Sequence, residues 1–184
     1  MGDYRLVPTR AWKAECLITE DQYVRAVDWQ LRIAKAYVSP QQVGPLPALV
    51  GHVYQRANLG RQHVCVVAAI VPHVSPNLVT QFAKDVQDLA DATTRGVRGL
   101  GASVLAVAGL VTRDVHPGAR VLAAQAPRSR FGGETRPVVV DVLRGIVDTF
   151  TGTKFVGSAS QGLFRRQVAW YFPPPAAVQA QIHS

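Results

Sequence analysis

The sequence has no apolar stretch long enough to cross a membrane as a helix. Its longest strongly apolar stretch is GASVLAVAGLV, residues 101–111, whereas a transmembrane helix needs about 20 residues. Arg98 and Arg113 flank this stretch, and we interpret it as a strand of the core. Residues 1–15 contain no apolar signal core. We therefore expect a cytoplasmic protein without a membrane span.

Cysteine is scarce, and the two residues present, Cys16 and Cys65, form no CxxC motif. Both lie in apolar, strand-like segments, which predicts two buried and reduced thiols. His63 and Cys65 alternate on one face of a strand and could offer two metal ligands. Because a closed zinc site takes about four ligands, we predict no metal site and no cofactor.

Motifs of the common catalytic families are also missing. The sequence contains no nucleophile elbow, no HExxH and no P-loop, and it has no internal repeat. The features that can indicate a function are therefore the distribution of charge and the positions of polar side chains in the fold.

The charge is basic and uneven. The formal net charge is +8, and residues 93–184 carry 11 Lys and Arg against 4 Asp and Glu, compared with 9 against 8 in residues 1–92. Such an excess favours an anionic partner: an acidic protein, an anionic ligand or a nucleic acid. The alternative is that an arginine-rich composition reflects a GC-rich genome and has no partner.

The first two thirds of the chain alternate helices and strands. Thr19 and Gln22 form a capping box, which predicts a helix that ends at Pro40, and 46–58 resembles a second helix. Ser75 and Pro76 open another helix, over 76–93. Together with apolar strands at 63–71 and 102–111 it predicts a βαβ unit.

The last third is rich in β-branched and aromatic residues and has glycine at 145, 152 and 162. These features favour an antiparallel meander of strands. A helix that begins at Pro137 is the alternative for 137–151. Residues 173–184 begin with prolines and have little to pack, so we expect a flexible tail.

These patterns predict an α/β or α+β fold. The predicted single domain covers 1–172, with 1–10 as a flexible arm, and has a mixed sheet, a βαβ core, N-terminal helices and a C-terminal antiparallel β-meander. Since only three helices are secure and apolar central strands need cover on both faces, a second copy is expected to cover one sheet face. A homodimer is therefore one hypothesis.

A candidate catalytic site lies where the two parallel strands end. If the strands are neighbours, the loops that follow them bring together His73, Ser75, Asp114 and His116. A carboxylate can orient an imidazole, which can activate a hydroxyl or a water. The competing interpretation is structural, with Ser75 as a helix cap and the others as turn residues.

Basic side chains form a second candidate site. RSRFGGETRP, residues 128–137, predicts an exposed hairpin tip, or an anion-binding loop if a helix begins at Pro137. Residues 163–172 mix arginines with aromatics, which on a strand could bind nucleic acid. The residues predicted to contact an anion or a partner are Arg113, Arg128, Arg130, Arg136, Lys154, Arg165 and Arg166.

Three hypotheses for function follow from these sites. The first is a binding or assembly module for an acidic or anionic partner. We favour it over the others because it does not require residues that are distant in sequence to meet in one site. The second is a small hydrolase-like enzyme that uses the strand-end cluster. The third is a nucleic-acid-binding protein that uses the arginines of the second half.

Overall fold

A seven-stranded mixed sheet forms the centre of the protein. A computed structural model describes residues 18–57, 60–94, 102–127, 129–130, 133–152 and 158–182. The strands are β1 (Tyr37–Val43), β2 (Leu46–Ala57), β3 (Gly60–Ile70), β4 (Ala102–Thr112), β5 (Ser129–Arg130), β6 (Gly133–Asp141) and β7 (Ile146–Thr149). The helices are α1 (Glu20–Ile33), α2 (Pro76–Thr93), α3 (Pro117–Ala124), α4 (Ser158–Tyr171) and α5 (Pro175–Ile182).

The strand order is β1-β2-β3-β4-β6-β5, and β7 also pairs with β6. Strands β3, β4 and β6 run parallel, whereas the pairings of β1, β2, β5 and β7 are antiparallel. The predicted βαβ unit is confirmed as β3–α2–β4, and α3 lies in the next crossover, from β4 to β6. The fold is of the α/β class.

Helices cover both faces of the sheet because its central strands are apolar on both faces. Val64, Val66 and Ala68 face α1, α4 and α5, which we call the helical layer. Cys65, Val67 and Ala69 face α2 and α3. Since the chain covers both faces with its own helices, an uncovered face no longer argues for a homodimer.

The capping box of α1 is confirmed. The Gln22 N–H donates to Thr19 Oγ1 over 3.2 Å, and the Thr19 N–H donates to Gln22 Oε1 over 2.8 Å. The helix nevertheless ends at Ile33, earlier than predicted, because Lys35 adopts a φ of 57° and turns the chain. Pro40 then lies inside β1, at one edge of the sheet.

Two predicted elements have the wrong type. Residues 46–57 form strand β2 rather than a helix, since a short apolar run does not separate the two by periodicity alone. Residues 163–171 belong to helix α4 rather than to a strand, because Phe164, Val168 and Tyr171 recur at helical spacing and are buried against the sheet.

The predicted C-terminal meander is present in part, as antiparallel pairings of β6 with β7 and, at the hairpin predicted for residues 128–137, with β5. Strands are confirmed over 137–141 and 146–149, and Gly145 in their turn has a φ of 69°. The prediction of a flexible tail is also wrong for Pro175–Ile182. These residues form helix α5, because Val178 of this helix packs into the core.

A close approach fixes the end of α4 on the sheet. Phe172 is buried directly over Gly109 of β4, where a Cβ atom would overlap the phenyl ring. No helix within the described parts of the chain is long and apolar enough to cross a membrane.

Candidate functional site

The loops after β3 and β4 come together, as their parallel pairing requires. Val74 and Val115 form a parallel bridge beyond the two strands. The Val74 N–H donates to the Asp114 carbonyl oxygen over 2.9 Å, and the His116 N–H donates to the Val74 carbonyl oxygen over 3.0 Å. The predicted strand-end cluster is thus assembled by the backbone.

Within this cluster His73 and Asp114 form a pair. His73 Nδ1 lies 2.8 Å from Asp114 Oδ2, and the two side chains are 46% and 69% exposed. In the neutral imidazole, an Nδ1–H donated to the carboxylate leaves the lone pair on Nε2. The arrangement can orient an imidazole to accept a proton at an open surface.

The other two members of the cluster cap helices. The Leu78 N–H donates to Ser75 Oγ over 3.3 Å at the start of α2, and the Gly118 N–H donates to His116 Nδ1 over 3.0 Å at the start of α3. These bonds satisfy N–H groups that the first helical turn leaves without partners. The capping interpretation of Ser75 therefore holds, and His116 has the same role.

Thr112, which the sequence analysis did not select, positions the Asp114 loop. Its side chain is buried, donates to the Pro72 carbonyl oxygen over 3.2 Å and accepts the Asp114 N–H over 3.1 Å. The sequence does contain a signal for this role, because Thr112 ends an apolar strand, where the following loop needs side-chain hydrogen bonds.

The third parallel strand ends in an ionic network around a buried aspartate, which the sequence pattern did not indicate. Asp141 is fully buried and pairs with Arg120 of α3 and with Arg144, whose Nη1 lies 2.9 Å from Asp141 Oδ2. Arg120 Nη1 also donates to Asp148 Oδ2 over 2.7 Å. These contacts tie α3 to the β6–β7 hairpin, so the network is structural.

The predicted anion-binding residues have different environments. Arg113 pairs with Glu20 at 3.1 Å. Arg128 and Lys154 lie outside the described residues; for Arg130 only the backbone, in β5, is described. Arg165 and Arg166 are exposed on α4.

Arg136 requires a correction, because it is 1% exposed and does not project from a turn. Its Nε donates to Glu134 Oε1 over 2.6 Å, and its guanidinium carbon lies 5.8 Å and 5.6 Å from the ring centres of Phe150 and Phe164. Helix α4 covers this face of β6 and buries the pair, which removes Arg136 from the surface available to a partner.

The outer face of α4 carries basic and apolar side chains without an acid. Between residues 162 and 171 of this helix the exposed side chains are Leu163, Arg165, Arg166, Ala169 and Trp170. Trp170 is 49% exposed and stands four residues from Arg166, on the same side of the helix. Within the described part of the chain neither arginine forms an ion pair, and Arg165 donates only to the Thr151 carbonyl oxygen, over 3.3 Å.

A pair of histidines lies at the opposite end of the sheet. His52 Nδ1 is 3.1 Å from His63 Nε2, and the Tyr54 ring also stacks on His63, with 4.6 Å between ring centres. Burial, together with the neighbouring His52, lowers the pKa of His63 to about 4. Burial lowers the pKa of His52 as well.

No metal site is found in the ranges that the structure describes, where no three His, Cys, Asp or Glu side chains are grouped suitably. Cys65 is a free, buried thiol whose pKa burial raises to about 12. Cys16 lies outside the described residues. His63 and Cys65 do share a face of β3, and Cys65 packs in the same cluster as the buried residues of α2.

Comparisons with known proteins give no match: no family model matches the chain, and neither does any curated protein or solved structure.

Proposed function

We propose that this protein is a binding module for an acidic protein partner, which it contacts through the outer face of α4. The observation that carries the proposal is the composition of that face: Arg165, Arg166, Trp170 and Leu163 are exposed together, and no residue of α4 is acidic. Tryptophan and arginine are the residues most enriched among the energetically dominant positions of protein interfaces.

The pattern of ion pairs supports the same proposal. The carboxylates that are buried among the described residues already have cationic partners, Arg136 for Glu134 and Arg120 for Asp141. Arg165 and Arg166 face solvent and contribute to the net charge of +8. An acidic partner would neutralise them and associate faster at low ionic strength.

An acidic protein is favoured over a nucleic acid by the composition of the α4 face itself. Nucleic-acid binding needs a stripe of phosphate contacts, whereas α4 offers two arginines beside two large apolar side chains. Such a mixed patch suits an interface with an apolar centre and a charged rim.

The test is fluorescence anisotropy with two labelled probes, a glutamate-rich peptide and a single-stranded DNA of similar length, at about 50 mM salt, where charge contacts are strongest. We expect the peptide to bind, and the double substitution Arg165→Ala, Arg166→Ala to weaken binding about tenfold. The matched control removes the same charge elsewhere, with Lys35→Gly, which suits the positive φ of that residue, and Lys84→Ala on α2.

Two results would overturn the proposal. One is equal weakening by the control and by the α4 variant, which would show only a net-charge effect. The other is tighter binding of the DNA with a steep dependence of log Kd on log salt, the signature of a nucleic-acid-binding protein.

The 2.8 Å contact between His73 and Asp114 favours a second candidate function, a small hydrolase-like enzyme. In that function Asp114 holds the imidazole, and His73 Nε2 takes a proton from water while the water oxygen attacks an ester carbonyl. The tetrahedral intermediate then collapses, the ester C–O bond breaks, and the proton on His73 passes to the departing alcohol oxygen. The test is hydrolysis of p-nitrophenyl acetate by the wild type, His73→Gln and Asp114→Asn. A rate that falls about a hundredfold in both variants would support general-base catalysis, and unchanged rates would exclude it for this substrate.

A further inference from the structure

The helical layer contains an open groove between α1 and α5. Its volume is about 660 Å³, and its lining residues are Gln22, Arg25, Ala26, Trp29, Val178, Gln181 and Ile182. Trp29 is 62% exposed and Ile182 is 48% exposed. Two large apolar side chains from two different helices thus face solvent in one concave surface, which is a common mark of a protein-binding site.

The lining of the groove on α1 extends over about two helical turns. Its lining on α1 runs from Gln22 to Trp29, which at 1.5 Å per residue is about 10 Å. The anchor side chains of a helix that binds in a groove recur at i, i+3 or i+4 and i+7, which also span about 10 Å. Since residues of both α1 and α5 line the groove, a third helix can lie along it.

The charge of the groove selects the kind of helix. Among the described residues that line it, Arg25 alone is charged. Arg25 Nε donates to the Asp21 carbonyl oxygen over 3.4 Å, a backbone acceptor that does not neutralise the guanidinium. Helix α5 has no charged residue from Pro175 to Ile182. The groove therefore offers one cation beside an apolar surface.

We infer that this groove binds an amphipathic, acidic helix of the partner protein, with Trp29 packing on its apolar stripe and Arg25 pairing with a carboxylate. The inference rests on the proposed function, since it assigns part of the same acidic partner to a second surface of the helical layer. It adds a requirement that the α4 face does not impose: the segment of the partner that binds in the groove must be helical and amphipathic.

The experiment uses two labelled acidic peptides of equal composition and about 18 residues, long enough to form a helix. One carries leucines at helical i, i+4 and i+7 spacing and the other has the same residues scrambled. We expect the patterned peptide to bind at least tenfold more tightly to the wild-type protein. Trp29→Ala and Arg25→Ala should each weaken its binding about tenfold, as for central interface residues.

Matched controls are available on the opposite layer. Val121 is as exposed as Trp29, at 62%, and Lys84 is exposed on α2, so Val121→Ala and Lys84→Ala should leave the affinity unchanged. A direct readout needs no variant: the chain has three tryptophans, and the indole N–H resonance of Trp29, assigned with Trp29→Phe, should shift when the patterned peptide is added.

The outcomes separate the inference from the proposed function. Equal affinity for both peptides, or an unmoved Trp29 resonance, overturns the groove assignment, and the α4 proposal stands if Arg165→Ala, Arg166→Ala still weakens peptide binding. Binding that depends on Trp29 but not on Arg165 and Arg166 supports the groove and overturns the role of α4. Binding of the patterned peptide that is insensitive to Trp29 overturns the inference.

Discussion

His52 and His63 lie diagonally across the antiparallel pairing of β2 and β3, and their facing ring nitrogens are 3.1 Å apart. A bond of this length between two imidazoles needs one proton between them, so both rings are neutral or one carries the charge. Burial and the second histidine oppose that charge, which is why the pKa of His63 lies near 4.

The first prediction is that acid destabilises the fold through this pair. Between the unfolded pKa of about 6.5 and the folded pKa of about 4, the unfolded chain binds a proton that folded His63 does not, so stability falls as the pH falls. At pH 5 the loss from His63 should be about 2 kcal/mol relative to pH 7. Urea unfolding at both pH values should show a smaller loss in His63→Gln. Equal losses in the two proteins would contradict this account.

The second prediction concerns the buried pair of Arg136 and Glu134. Arg136→Ala should cost about 3–5 kcal/mol, because the buried carboxylate of Glu134 loses its guanidinium. The double change Arg136→Met, Glu134→Leu keeps apolar volume beside Phe150 and Phe164 and should be far milder. Chemical denaturation of both variants measures the difference. A double variant as unstable as the single one would show that packing, rather than charge, dominates.

A third prediction follows from Gly109. Gly109→Ala places a methyl group where the Phe172 ring lies and should destabilise the protein by about 1–3 kcal/mol. Phe172→Leu removes volume at the same place, so adding it to Gly109→Ala should cost less than the sum of the two single changes. Additive costs in the double-mutant cycle would show that the two residues do not contact each other in solution.

The fourth prediction separates capping from catalysis at Ser75. Ser75→Ala should cost about 1 kcal/mol of stability, whereas Ser75→Gly should cost only a few tenths, because glycine is a tolerated N-cap. Neither change should alter any esterase activity that depends on His73, since Ser75 serves the Leu78 N–H. Thermal melts and ester hydrolysis measure the two effects, and an activity lost in both variants would assign Ser75 a chemical role.

The elements that were predicted correctly are those whose signals lie within a few residues. The capping box of Thr19 and Gln22 fixed the start of α1, and Ser75 with Pro76 fixed that of α2. The meeting of His73 and Asp114 was also predictable, since parallel neighbouring strands end at the same edge.

The errors have a common cause, which is dependence on distant contacts. Residues 163–171 are aromatic enough for a strand, and their helical form is decided by the sheet that buries Phe164 and Val168. Arg136 looked exposed because Phe150 and Phe164, which enclose it, lie 14 and 28 positions away in the sequence. No local pattern records such neighbours.

Pro40 in β1 affects whether copies of the molecule can pair edge to edge through this strand. An edge strand normally offers a row of N–H groups to which another chain can add, the first step toward fibrillar aggregates. Proline has no N–H to donate and is accepted in a sheet where that group would point outward. Pro40 thus interrupts the row of exposed N–H groups near the middle of β1 (Tyr37–Val43). This interruption protects the valine-rich sheet against the addition of strands from other copies at the β1 edge.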